Sequence, residues 1–159
     1  MYVHGHVHAY GEVGVAWGRR CYESGMIDHL GIVVTDLQHA SEFYARVLAP
    51  LGITAVERHP RPNGEGWVVM SSGVARAPFF VISAGRPTYW GDEHRASVSP
   101  CHLCFNAPSK EAVIEFHSIG LELGAKDNGA PGVRRAPFYC AFLIDPEGNN
   151  IEAGVYLDV

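Results

Sequence analysis

Apolar and polar positions alternate along residues 27–34, so Leu30, Ile32 and Val34 share one face of a strand and His29, Gly31 and Val33 the other. The period then lengthens. Leu37, Ala40, Phe43, Tyr44, Val47 and Leu48 recur at helical spacing; Thr35 and Gln38 are spaced as a capping box, and Pro50 and Gly52 close the helix. Strands are expected over 53–58 and 66–71, around the turn-rich Pro60-Arg61-Pro62-Asn63-Gly64, and over Pro78 to Ile82. The same order restarts at 101–106. Ser109 is placed to cap a helix through Ala112, Val113, Phe116 and Leu121, which runs out at Gly124. A strand is centred on Tyr139 to Leu143, a type I turn on Asp145-Pro146-Glu147-Gly148, and a last strand covers 150–156. The pattern predicts an α+β chain of two tandem βαβββ modules whose sheets form a half-open, eight-stranded, barrel-like cleft, with the helices outside.

Histidine interrupts the apolar pattern at the head of each module, at His29 and His102. If the rows Leu30, Ile32, Val34 and Leu103, Phe105 face the helices, both histidines face the cavity, as do Cys104 and Asn106. In the last strand Ile151, Ala153 and Val155 form the buried row, leaving Glu152 and Tyr156 on the cavity side. Two imidazoles and one carboxylate on facing strands make a metal site with open coordination positions. Tyr139 and Tyr156 each offer a phenol as proton donor or, equally, an aromatic packing surface. Arg134 and Arg135 are candidates to clamp a substrate carboxylate, or to be an exposed loop pair. His39, His59 and His117 are expected at the surface.

The 159 residues suit one domain, with module one at 26–84, a connection at 85–99 and module two at 100–157. The connection lacks periodicity and carries Trp90 and His94, which are candidates to cap the cavity. Residues 1–25 read as an extension ahead of the domain, such as a mis-assigned initiation codon would add; His4, His6 and His8 alternate there as a metal clip would. A net charge of −5 without a Lys/Arg run argues against nucleic acid, and no apolar stretch reaches a membrane span. Cys101 and Cys104 fall on opposite faces of a strand, so reduced thiols in a cytoplasmic protein are expected.

Met26-Ile27-Asp28-His29-Leu30-Gly31-Ile32, Pro100-Cys101-His102-Leu103 and Asp145-Pro146-Glu147-Gly148-Asn149-Asn150-Ile151-Glu152 together resemble the vicinal oxygen chelate superfamily, which includes glyoxalase I, extradiol dioxygenases and bleomycin-resistance proteins. Residues 126–152 are similar to its glyoxalase-like branch, whose members are often labelled lactoylglutathione lyase. The resemblance implies metal ligands at His29, His102 and Glu152, with Glu152 and Tyr139 as catalytic candidates. It implies one divalent ion (Zn, Ni, Mn, Fe or Co), a small substrate with vicinal oxygens, lyase or isomerase chemistry, and a homodimer. Apart from the resemblance, Arg134, Arg135, Trp90 and Tyr156 are the candidate substrate contacts. One departure stands out: Phe79, Phe80 and Val81 are apolar where glyoxalase I carries a further carboxylate ligand. An Fe(II) ring-cleaving dioxygenase and a metal-free drug-binding protein are the alternatives.

Overall fold

The computed structural model describes residues 27–62, 65–75, 77–85 and 101–157. Module one runs β1 (His29–Val34), α1 (Leu37–Val47), a 3-10 turn (Ala49–Leu51), β2 (Ala55–Pro60), β3 (Gly66–Ser71) and β4 (Phe79–Ala84). Module two runs β5 (His102–Asn106), α2 (Lys110–Glu122), β6 (Lys126–Arg135), β7 (Phe138–Ile144) and β8 (Asn150–Tyr156). Each module makes one four-stranded sheet, ordered β1-β4-β3-β2 and β5-β8-β7-β6, with β1 parallel to β4 and β5 parallel to β8. The fold is the predicted pair of βαβββ modules, with the sheets not closed into a barrel. No helix among the described residues is long and apolar enough to cross a membrane.

Strand β6 is the element that sequence periodicity does not show. Gly129, Pro131 and Gly132 interrupt its alternation, and its pairing with β7 shifts register between Asp127 and Gly129, Gly129 and Gly132, and Val133 and Arg135. Such a strand is tolerated because it lies at the sheet edge, where Pro131 removes no central ladder bond.

Parity holds on both modules except at the head of β1, where Leu30, expected in the buried row, is exposed. Ile32 and Val34 of β1 are buried with Phe80 and Ile82 of β4, while His29 and Gly31 are exposed. In module two Leu103, Ala141, Leu143, Ile151 and Ala153 are buried. The helices, however, do not lie on the outside of a shared cleft. Helix α1 packs against α2, the 3-10 turn also packs against α2, and Phe80 meets Phe105 edge-on at 5.7 Å between ring centres. One continuous core therefore spans the two modules. Gly120 marks how closely they approach, since a Cβ there would stand 2.2 Å from Leu143 Cδ1 and 3.4 Å from Val47 Cγ2. The reason is the width of the apolar stripe: Leu37, Ala40, Phe43, Tyr44 and Val47 are all buried, more than one sheet face can cover.

Helix α1 begins one residue later than the capping-box spacing predicts. Asp36 is the cap, its carboxylate accepting the His39 N–H at 2.9 Å. Thr35 is drawn away: its backbone N–H and hydroxyl both donate to Glu147 Oε1, at 2.9 and 2.7 Å. Ser109 caps α2 as predicted, accepting the Ala112 N–H.

The β7–β8 turn is the second bolt between modules. Asp145 is buried, and its Oδ1 accepts the backbone N–H groups of Glu147 and Asn149 at 3.0 and 2.7 Å. Its Oδ2 accepts from Asn149 Nδ2 at 2.9 Å and from the Tyr44 hydroxyl of α1 at 2.5 Å. Burial, then the Asp145 charge, pushes the Tyr44 phenol far above its ordinary range, so it remains a donor. Asn149 Oδ1 in turn accepts the Cys101 N–H at 3.1 Å, and the Asn150 N–H donates to the Cys101 carbonyl at 2.9 Å. This chain of bonds fixes the head of β5 beside the head of β8.

Candidate metal and substrate site

Fixing those strand heads brings His102 and Glu152 together. Cys104 lies opposite Glu152 in the β5–β8 register, with His102 opposite Asn150. His102 Nε2 stands 3.2 Å from Glu152 Oε2; the carboxylate side chain is 9% exposed and the imidazole 52%. Both project from the open face of the second sheet, opposite the face that carries Leu103, Ile151 and Ala153. Cys104 opens on the same face, and burial followed by the Glu152 charge pushes its thiol up to about 12, so it is protonated at neutral pH.

Aromatic rings surround the pair. The Phe142 ring stacks 6.3 Å from His102, and Phe138 packs at 4.8 Å against Tyr156. Gly154 permits this: a Cβ there would meet the Phe138 ring at 2.1 Å. Tyr156 is 64% exposed and stands on the open face as expected. Tyr139 does not. It pairs with Val155 on the opposite face, packs against the core and lies under Lys110 Nζ at 5.6 Å. Packing is the role that this position favours.

His29 occupies the equivalent place on the open face of the first sheet, stacked on Phe79 at 4.7 Å and bonded through Nδ1 to Asp28 at 2.7 Å. The neighbour across the β1–β4 ladder is thus a phenyl ring where glyoxalase I has a carboxylate. His29 does not join His102 and Glu152 within the chain: among the described residues no three His, Cys, Asp or Glu side chains gather as a metal site. The cause is the helix-to-helix packing. Modules joined through their helices turn the two open faces away from the joint, and the three expected ligands are not gathered into one group within this chain.

The other candidates are dispersed. Arg134 is exposed on β6 and donates to the Ala130 carbonyl at 2.7 Å, while the Arg135 side chain lies outside the described residues. Trp90, His94 and residues 1–25, with His4, His6 and His8, also lie outside them. His39 and His59 are exposed as expected, but His117 is buried, with Nε2 3.1 Å from Asp127 Oδ1. Helical phase carried that signal, because Val113, His117 and Gly120 share the face of α2 that packs inward.

The sequence profile of the glyoxalase/bleomycin resistance protein/dioxygenase superfamily matches residues 26–153. The chain belongs to that superfamily. Solved superfamily folds agree with it. A glyoxalase/bleomycin resistance protein from Albidiferax ferrireducens is 28% identical, covering 81% of this chain and 97% of its own, with a TM-score of 0.60. A lactoylglutathione lyase from Agrobacterium tumefaciens is 21% identical, covering 82% and 92%, at a TM-score of 0.57. TioX from Micromonospora is 16% identical, covering 84% and 100%, at 0.59. No curated protein matches the chain.

Proposed function

We propose that this superfamily member is a metal-dependent enzyme whose site is completed by a second copy of the chain, in the manner of a glyoxalase-like lyase or isomerase. The observation that carries the reading is the His102–Glu152 pair. Two donor atoms each about 2.1 Å from a common ion lie about 3.0–3.4 Å apart for octahedral to tetrahedral angles, and these two stand 3.2 Å apart. The donor set, neutral imidazole and carboxylate, suits a divalent first-row metal. His29 of a second copy is the third donor: both open faces are turned from the joint, and pairing two chains face to face would cover them. A homodimer follows from the same requirement, and the thiols of Cys101 and Cys104 suit a cytoplasmic setting.

When bound, the ion supplies Lewis acidity to two neighbouring substrate oxygens. The chain's own residues do the rest. The mostly buried Glu152 carboxylate neutralises part of the ionic charge and is a proton acceptor at the face. Phe138, Phe142 and Tyr156 offer flat apolar walls that orient the substrate and exclude water. The protonated Cys104 thiol is a weak donor toward Glu152.

Complementation tests the composite site. His29→Ala and Glu152→Gln proteins, each unable to hold the ion, are mixed and allowed to exchange chains. Mixed dimers should regain about a quarter to a half of the wild-type metal content, one intact site per heterodimer. No recovery, despite exchange proved by mass spectrometry, would put all ligands on one chain. Equal metal content in the wild type and in His102→Ala would leave a metal-free binding protein.

A further inference from the structure

The open face of module two extends past the His102–Glu152 pair. Glu152 of β8 lies opposite Phe142 of β7, and Phe142 opposite Gly129 of β6, so the three form one row across the sheet. The Phe142 ring stacks on His102, and the far end of the row holds a guanidinium. A Cβ on Gly129 would stand 3.0 Å from Phe142 Cδ2 and 3.2 Å from Arg134 Nη2. The missing side chain thus leaves the notch in which Arg134 lies beside the ring.

A bulge in β6 aims this side chain. Regular alternation from Gly129 would put Val133 on the open face and Arg134 on the other. Gly129 pairs with Phe142 and Gly132 with Cys140, so β6 carries one extra residue there and the parity reverses. Val133 then pairs with Tyr139, which packs on the core, and Arg134 returns to the face of Gly129. Arg134 Nη2 donates to the Ala130 carbonyl at 2.7 Å, which tethers the guanidinium and leaves the rest of its five donors for a ligand. Among the described residues no carboxylate lies within ion-pair distance of it. Asp127 feels its charge, but that carboxylate is engaged by the Gly129 N–H and His117. A tethered, exposed guanidinium has the planar geometry that a carboxylate matches.

We propose that Arg134 binds a second, non-chelating carboxylate of the substrate, which makes the substrate class a small 2-oxo or 2-hydroxy dicarboxylate. This rests on the metal-dependent reading above. One end of the molecule offers its two neighbouring oxygens at His102 and Glu152, its carbon chain crosses the Phe142 ring, and its far carboxylate meets Arg134. The row from Glu152 to Gly129 covers two strand spacings, about 10 Å. Less the contact at either end, that leaves room for a chain of about four or five carbons at roughly 1.5 Å per bond.

The test is isothermal titration of the full-length protein, loaded with zinc or manganese, whichever it retains. The ligands are 2-oxoglutarate and 2-oxovalerate; the second keeps the chelating end and replaces the far carboxylate by a methyl group. Metal content is measured on the same samples by plasma emission. 2-Oxoglutarate should bind about tenfold or more tighter, the worth of one charge-assisted contact. Arg134→Gln should hold as much metal as the wild type and bind the two acids about equally, and Arg134→Lys should recover part of the preference. Arg58→Gln, on the helix side of the first sheet where Arg58 bonds Ser41, should change neither reading. Full metal content with no preference for 2-oxoglutarate would overturn the proposal and leave the metal reading standing. So would a preference that survives in Arg134→Gln folded by circular dichroism. A wild type that retains neither metal would remove the chelating end, and with it both readings.

Discussion

Tyr44→Phe removes a single oxygen from the joint between modules and leaves the ring in place. Tyr44 is 1% exposed and its ring contacts Phe43 and Phe80, so the substitution opens little space. What is lost is the hydroxyl's bond to Asp145 Oδ2. Asp145 keeps three N–H donors, from Glu147, Asn149 and the Asn149 amide, so its charge is not orphaned. The cost is that of one hydrogen bond to a charged, buried acceptor, about 1.5–3 kcal/mol. With a urea slope of about 1–3 kcal/mol per M, the unfolding midpoint should fall by about 1 M. The measurement is equilibrium urea unfolding with EDTA present, so that metal binding does not enter. Thr35→Ala unhooks the same turn at Glu147, and the double variant should cost about 0.5–1 kcal/mol less than the sum of the single ones. A midpoint within about 0.2 M of wild type, less than about 0.5 kcal/mol, would show that Asp145 is held well enough without α1, and the bolt would have no energetic meaning.

Gly120→Ala should destabilise by about 1–3 kcal/mol, because the new methyl must displace Leu143 and crowd Val47, and this exceeds the helix-propensity gain of about 1 kcal/mol; a raised melting temperature would refute it. His102→Ala should abolish most metal binding, measured by plasma emission after gel filtration. His117→Ala should leave the metal content intact yet cost about 1–3 kcal/mol, since it leaves the space of a buried ring and strips Asp127 of a partner. The Gly129 N–H and then His117 hold the exposed Asp127 carboxyl below its ordinary 3.8, so this contribution is present above that value and lost as pH falls through the lower folded one. Asp127→Asn should therefore flatten the acid limb of stability against pH below about 4, and an unchanged limb would count against the assignment.

Most of the fold was legible because period and parity are local. The two repeats, the Ser109 cap and the Asp145 turn follow from nearest-neighbour geometry, and the row containing Glu152 follows from strand alternation. What lay beyond reach depends on distant chain. Thr35 spacing pointed to a helix cap, yet Glu147, far along the sequence, claims that residue. Tyr139 could be read as a proton donor or as a packing surface, and only the β7–β8 register places it opposite Val155 and under Lys110. The position of His29 relative to His102 depends on which faces of the modules are joined. Alternation is silent on that; only the breadth of the buried stripe on α1 bears on it. Strand β6 was hidden for a different reason, since glycine and proline erase the period at a sheet edge that needs none.

The uninterrupted core through α1, α2 and both sheets also bears on how a doubled architecture behaves when heated or cut. A tandem repeat invites the picture of two halves that melt in turn, each able to live alone. Here each half surrenders its best apolar residues to the other. Val47 and Leu143 press on the same glycine, and Phe80 ends against Phe105. Severing the chain between the repeats would expose both surfaces at once. Calorimetry of the whole domain should show one transition, with calorimetric and van't Hoff enthalpies in agreement. Duplication supplied the symmetry of this molecule, and the shared interior has since taken away the autonomy of its parts.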